Sequence, residues 1–198
     1  MPRAGLNRDA VIAHALEVLD ASGANGLTLK AIADRAGVAT PSLYKHIRSL
    51  TELRGLLAVR VLEEMALRSE AAVTGLEPGD AVEAFLAEYR EFARSYPHRH
   101  ALVETCVGAD PDVECAAARL VGVLSTVVKG FGLDGAELIH AVRALRAAVA
   151  GFATLELGRG YRNGVFHDVP TVDGSFAFLA RMLTTGLRSR APRHSIAA

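Results

Sequence analysis

The residues of this 198-residue chain best suited to chemistry with a partner stand between Pro41 and Arg48. Lys45 can donate to a guanine edge or a phosphate, Ser42 to either, and Pro41 can touch a thymine methyl, while Tyr44 and His46 suit phosphate oxygens. Leu43 and Ile47, four apart, hold one side of a short helix inward, which leaves Pro41, Ser42, Tyr44, Lys45 and His46 on the outside. Elsewhere no nucleophile stands with a base, and there is no phosphate loop and no HExxH run, so no enzymatic activity and no cofactor are expected.

Such an outer face needs a rigid base. Thr28 can cap a first helix in which Ile32, Ala33 and Ala36 share one face, and Gly37 can end it in the left-handed conformation with Val38 as the hydrophobic contact of the stop. Thr40 is expected as N-cap of the second helix and Pro41 as its first residue, since proline pushes its predecessor into the extended region and needs no amide donor. Two helices with a three-residue turn and polar outer residues on the second describe a helix-turn-helix, whose second helix fits the major groove of DNA. Asn7 caps a bracing helix to about Ser22, with Val11, Ala15, Val18 and Leu19 inward and Gly23 and Gly26 closing it. Ser49 and Glu52 form a capping box. The helix it opens, with Leu53, Leu56, Leu57, Val61 and Met65 apolar, reaches about Thr74, nearly 40 Å at ~1.5 Å per residue, and is expected to act as a rigid lever.

The run Ile32-Ala33, Ala36-Gly37-Val38, Ser42-Leu43-Tyr44, His46, Ser49 and Leu53 resembles the signature of TetR-type transcriptional repressors, over about the first quarter of the chain. That resemblance implies that Thr28, Lys30, Thr40, Pro41, Ser42, Tyr44, Lys45, His46 and Arg48 meet double-stranded DNA. It also implies a homodimer on a palindromic operator, acting as a repressor that a small-molecule effector releases. Two positions depart from the family pattern: Leu50 stands where lysine is usual and Ile47 where phenylalanine is usual. Phosphate contacts therefore fall to Arg48, Thr51 or helix N-terminal amides.

Composition permits this reading without carrying it. The chain is 51% hydrophobic, ample for a core, and formally neutral. Residues 1–48 hold six Lys/Arg against four Asp/Glu, and residues 49–198 sixteen against eighteen, a bias of +2 against −2. So mild an asymmetry would pass for a solvated surface were the motif absent. Cys106 and Cys115 form no CxxC and are expected to be buried small hydrophobes. The N-terminus is too polar for a signal peptide and no apolar run is expected to reach the roughly 20 residues of a membrane span, so a cytoplasmic location and no membrane partner are expected.

The expected fold class is all-α: a three-helix helix-turn-helix unit, 1–48, then a helical effector-binding and dimerisation domain, 49–198. Helices are expected from Pro78 to about Ser95, Pro97 to about Val107, Pro111 to Gly130, Asp134 to about Arg159 and Asp173 to about Arg188. The arm Met1–Leu6, with Arg3, and the final residues are expected to fray, and the loop Gly160–Thr171, with Tyr161, Phe166 and His167, to fold over the body. Phe85, Tyr89, Phe92, Leu102, Cys106, Phe131, Arg143 and Phe152 are the candidates for an effector pocket, although such apolar residues taken singly are more often plain core. Arg143 and Arg146, in an apolar helix, call for an anionic partner such as Glu156, Glu104 or an acidic effector. The last two helices are apolar on more than one face, and Val149, Phe152, Leu155, Phe176, Leu179, Leu183 and Leu187 are assigned to a two-fold four-helix dimer interface. The same segment, AVRALRAAVAGFATLELGRGY, resembles one C-terminal subtype of that repressor family, with Arg146 and Ala150 where tryptophan and histidine are usual and Gly151 kept. His100 and Glu104, an i, i+4 pair, could hold a metal, but solvated histidines opening a helix are commoner and no metal is expected. The alternatives kept open are a DNA-binding dimer without a ligand and a small helical enzyme or carrier.

Overall fold

Asn7 opens the first helix as expected: its side chain accepts the Ala10 N–H at 2.8 Å, and α1 runs Arg8–Gly26. The backbone leaves helical geometry at Gly23, so the regular part of α1 does end at Ser22. In this computed structural model the described residues are 6–106, 110–158, 160–162 and 171–190. Most of the N-terminal arm, Phe166, His167 and the closing residues fall outside them, as do the expected helix ends at Val107 and Arg159. Along the described chain follow α2 (Leu29–Ala36), a 3-10 helix (Thr40–Lys45), α3 (Leu50–Val73), α4 (Pro78–Ser95), α5 (Pro97–Cys106), α6 (Pro111–Lys129), α7 (Gly135–Leu157), a 3-10 turn (Gly160–Arg162) and α8 (Val172–Arg190). All regular elements among the described residues are helical.

Two compact units emerge. One comprises Met1–Glu64 with Tyr96–Ala118, the other Met65–Ser95 with Arg119–Ala198. In the first, Val11, Ala15 and Leu19 of α1, Ile32 and Ala33 of α2, Leu43, Ile47, Leu53 and Leu57 make one core, and Leu102 of α5 is part of it. An arginine explains why α5 belongs here. Arg99 grips Asp20 of α1 through Nε (2.9 Å) and Nη2 (2.6 Å), reaches Glu64 of α3 at 3.0 Å, and lies 4.4 Å over the Tyr96 ring. The Asp20 hydrogen bonds hold its guanidinium proton even more firmly than usual, against the opposing effect of burial.

Next to it, His100 is 4% exposed, contrary to the expected solvated histidine, and burial lowers its pKa against a smaller raising effect of Glu104. The unfolded chain, with histidine near ~6.5, thus binds more protons than the folded one around that pH. Stability should be level above about pH 6.5 and fall as the pH drops below it. Thermal midpoints at neutral pH and near pH 5 should show that fall, and His100→Leu should flatten it.

In the second unit, Phe85, Leu86, Phe92, Leu124 and Leu145 are fully buried. Arg90 is buried with them, on the stripe Val82, Leu86, Arg90, Ala93 of α4. It forks onto Glu156 of α7 through Nε and Nη2, both 2.7 Å, and donates from Nη2 to Asp173 of α8 at 2.7 Å. Its guanidinium carbon stands 4.7 Å from the Phe176 ring centre and 5.5 Å from that of Phe152. One side chain thereby ties α4, α7 and α8 together, and its pKa is raised, first by the Glu156 hydrogen bond. α8 starts earlier than expected, at Val172, capped by Thr171, which accepts the Gly174 N–H at 3.1 Å, while Asp173 is turned to Arg90. By length and mean composition α7 is long and apolar enough to cross a membrane, a test that the core helices of soluble proteins also pass, but Glu137, Arg143, Arg146 and Glu156 leave it no uninterrupted apolar run of that length.

Candidate nucleic-acid interface

The turn ahead of the candidate reading helix is built by backbone geometry. Thr28 accepts the Ala31 N–H at 3.1 Å, and α2 ends at Gly37 with φ 68° and ψ 33°. Val38 then donates to the Ala33 carbonyl at 3.0 Å, closing the stop, and packs half-buried on the core. A Cβ at Gly37 would meet nothing within 4 Å, so only the left-handed conformation demands glycine there. Gly37→Ala should therefore cost about 1–2 kcal/mol, and Gly37→Asn less, as read from denaturant midpoints; equal midpoints for glycine and alanine would contradict this origin of the turn.

The reading helix itself is tighter than expected. Thr40–Lys45 is 3-10 rather than α, and Ala39, extended at φ −74° and ψ 141°, takes the N-cap position assigned to Thr40, with no side-chain cap bond. Proline after Thr40 still starts the helix, but Thr40 is already inside it, so its hydroxyl is not used as the cap. Leu43 and Ile47 are buried at 0% and 2% exposure, while Tyr44 stands 56% exposed. Pro41, Lys45 and Arg48 are also exposed, and Thr40, Ser42 and His46 are half-exposed. The outward set is thus placed as expected, on a floor anchored in the core. Ile47 in place of the family's phenylalanine is accommodated there, and Leu50 packs half-buried against the same core.

The capping box that follows differs in one bond. Ser49 Oγ accepts the Glu52 N–H at 3.0 Å, but Glu52 reaches back to the Arg48 N–H rather than to Ser49, and its other oxygen takes Arg8 of α1 at 3.1 Å. The Arg48 and Glu52 amides are therefore already engaged within the chain, and the exposed Arg48 side chain and Thr51 remain the candidate donors of this corner. Lys30, on exposed α2, is held by Asp34 at 2.7 Å, and Thr28 spends its hydroxyl oxygen on its own cap. Both lie beside the reading helix in sequence but are less free than Lys45.

The remaining candidates are scattered. Leu102 and Cys106 pack in the core of the first unit, whereas Phe85, Phe92, Phe131 and Phe152 are buried in the second, where Tyr89 is half-buried. Arg143 and Arg146 are exposed, not buried, and Glu156 answers Arg90 instead. Arg90 is the residue the sequence reading missed, although a charged residue on a stripe of Val82, Leu86 and Ala93 was its signal. Val149, Phe152, Phe176 and Leu187, assigned to the dimer interface, are buried in the chain's own core, and Leu179 and Leu183 are half-buried. Periodicity reveals that both faces of a helix are apolar but not which one turns inward. On α7 and α8 the exposed large apolar residues are Leu155, with Ile139, Leu157, Phe178 and Met182 that were not assigned. Cys115 is exposed rather than buried and Cys106 half-buried, both as free thiols. No cluster of three or more metal-ligating residues occurs among the described residues.

Residues 11–54 match the family model described as bacterial regulatory proteins, tetR family, and residues 82–183 match the tetracyclin repressor-like C-terminal domain. An HTH-type transcriptional regulator of Mycobacterium tuberculosis is 30% identical over 189 residues, 94% of this chain and 84% of that protein. BioQ of Mycobacterium smegmatis has the same fold, with a TM-score of 0.72 at 23% identity over 93% of this chain and 99% of that one, and it is also known in complex with its double-stranded DNA operator. A TetR variant of Acinetobacter baumannii in complex with minocycline superposes with a TM-score of 0.70 at 24% identity, over 94% of this chain and 99% of that one.

Proposed function

Because the chain belongs to the tetR family of bacterial regulatory proteins, we propose that it is a homodimeric repressor whose reading helices enter successive major grooves of a palindromic operator, ~34–36 Å apart. It is a DNA-binding transcription regulator and not an enzyme. The observation that carries the assignment is the rigid presentation of Pro41, Ser42, Tyr44 and Lys45 over a buried Leu43 and Ile47, a surface with no other use in the fold. In this reading Lys45 and Ser42 take base edges or phosphates, Pro41 a thymine methyl, and Tyr44, His46, Thr40 and Arg48 the backbone, with Thr28 and Lys30 at the flank.

Release follows from a small molecule in the second unit, as the minocycline complex of a fold relative supports. Phe85, Tyr89, Phe92, Phe131 and Phe152 supply its apolar surroundings. Such an effector shifts the dimer between two spacings of its reading helices by no more than its differential affinity for them. α3, unbroken from Leu50 to Val73 behind the reading helix, is the continuous element for this. The site of action is the cytoplasm, where the operator is. Sedimentation of the complex with a duplex bearing its selected site should give two protomers per duplex; one protomer per duplex, or none, would remove the reading.

A further inference from the structure

The outward face shared by α7 and α8 is uneven, and its two ends match one another. On α7, His140, Ala144, Ala147, Gly151 and Leu155 fall along one line of the helix, every residue exposed. On α8, Phe178 and Met182 stand out beside it at 62% and 55% exposure. Toward the opposite end of the same pair of helices lies a groove of about 440 Å³, lined by Ala144, Leu145, Leu183, Gly186 and Leu187 and by the ion pair of Glu137 with Arg190. Glycine inside a helix lowers stability relative to alanine. A Cβ at Gly151 or at Gly186 would meet nothing within 4 Å, so the chain's own packing gives neither glycine a reason.

We propose that, in the homodimer of the preceding section, Phe178 of each subunit seats in the α7/α8 groove of the other. The inference rests on that dimer reading. A two-fold axis makes residue i meet j and j meet i, and a single face carrying one knob and one hole satisfies this with two identical contacts. Phe178 and Gly186 are eight residues apart, about 12 Å along α8, which places the axis near Met182. The small residues Ala144, Ala147 and Gly151 then let the helices of the two subunits approach closely, and Gly186 leaves the opening that the aromatic ring fills. Area agrees with this occupant. Side chains of this size bury on the order of 100 Å² each when half of them was exposed. Phe178, Met182 and Leu155 thus supply roughly 300 Å² of apolar side chain at the centre of each subunit's share of an interface, where stable examples use ~800 Å² a side. A consequence is that this groove is filled by protein and is not the effector site.

The test is a size swap read by sedimentation equilibrium of the full chain, with far-UV circular dichroism as the check on folding. Phe178→Ala should raise the dimer dissociation constant by about 100-fold or more, since both copies of the anchor are lost. Gly186→Phe, tolerated within the chain because space there is open, should do the same by closing the hole. The double variant Phe178→Ala with Gly186→Phe, where a new ring fills the hole the lost ring vacates, should recover most of the affinity. A wild-type dimer that both single variants leave intact, or a double variant no better than the singles, overturns the knob-in-groove pairing while the dimer stands. A wild-type chain monomeric at the highest concentrations would overturn the dimer reading itself.

Discussion

Arg90→Ala is expected to destabilise the second unit by about 3–5 kcal/mol, the loss that follows when one partner of a buried ion pair is removed. Arg90 is 8% exposed and its guanidinium serves Glu156 twice and Asp173 once, so deletion strands the Glu156 carboxylate, whose side chain is 16% exposed, with Arg94 at 3.9 Å as its remaining partner among the described residues. The truncation also takes a planar cation away from Phe152 and Phe176 and leaves a void between three helices. Against a typical total stability of ~5–15 kcal/mol this is a large fraction. Arg90→Lys should recover only part, since an ammonium cannot make the fork. Replacing both partners, Arg90→Leu with Glu156→Leu, should recover more than either single change, because no charge is left buried alone. Denaturant unfolding followed by circular dichroism measures all five; an Arg90→Ala chain with the wild-type midpoint would show that the cluster is a surface ornament.

The second large effect is on binding and leaves the fold intact. Tyr44→Ala and Lys45→Ala remove side chains that are exposed in the free protein, so unfolding midpoints should stay within ~0.5 kcal/mol. On operator DNA each contact contributes about 1–3 kcal/mol. In a symmetric dimer each occurs twice, so the double substitution should weaken binding by about 10²–10⁴-fold, short of strict additivity because the residues are neighbours. Loss of a Lys45 phosphate contact should also reduce the dependence of affinity on salt by about one ion per contact. Leu43→Ala is the contrast: fully buried under the same helix, it should cost ~2–5 kcal/mol of stability and take DNA binding with it.

What could be read from the residues alone was mostly local. Asn7, Thr28, Gly37 and the Ser49–Glu52 pair declare helix ends because each satisfies or strains backbone groups within four residues of itself. The outer face of residues 41–46 was legible for the same reason, since Leu43 and Ile47 fix which side is inward. Thr40 was misplaced by one residue because local rules allow either Ala39 or Thr40 to precede the proline-started helix. Contacts between distant residues left weaker traces. Arg90 meets Glu156 across 66 positions and Arg99 meets Asp20 across 79, and the second pairing is what places α5 beside α1 rather than with the helices that follow it. In α7 and α8 the pattern showed two apolar faces but could not rank them; the buried one is that of Val149, Phe152, Phe176 and Leu187, and the outward one that of Leu155, Phe178 and Met182.

The account turns on residues 40–46 reading DNA in pairs, and selection from a pool of randomised duplexes tests that most directly. The wild-type chain should enrich a palindrome whose half-site centres lie about one helical turn apart, ~10 base pairs, and the Tyr44→Ala, Lys45→Ala double variant should not enrich it. Enrichment of no sequence by the wild type, of a site without two-fold symmetry, or of the same palindrome by the double variant would contradict it.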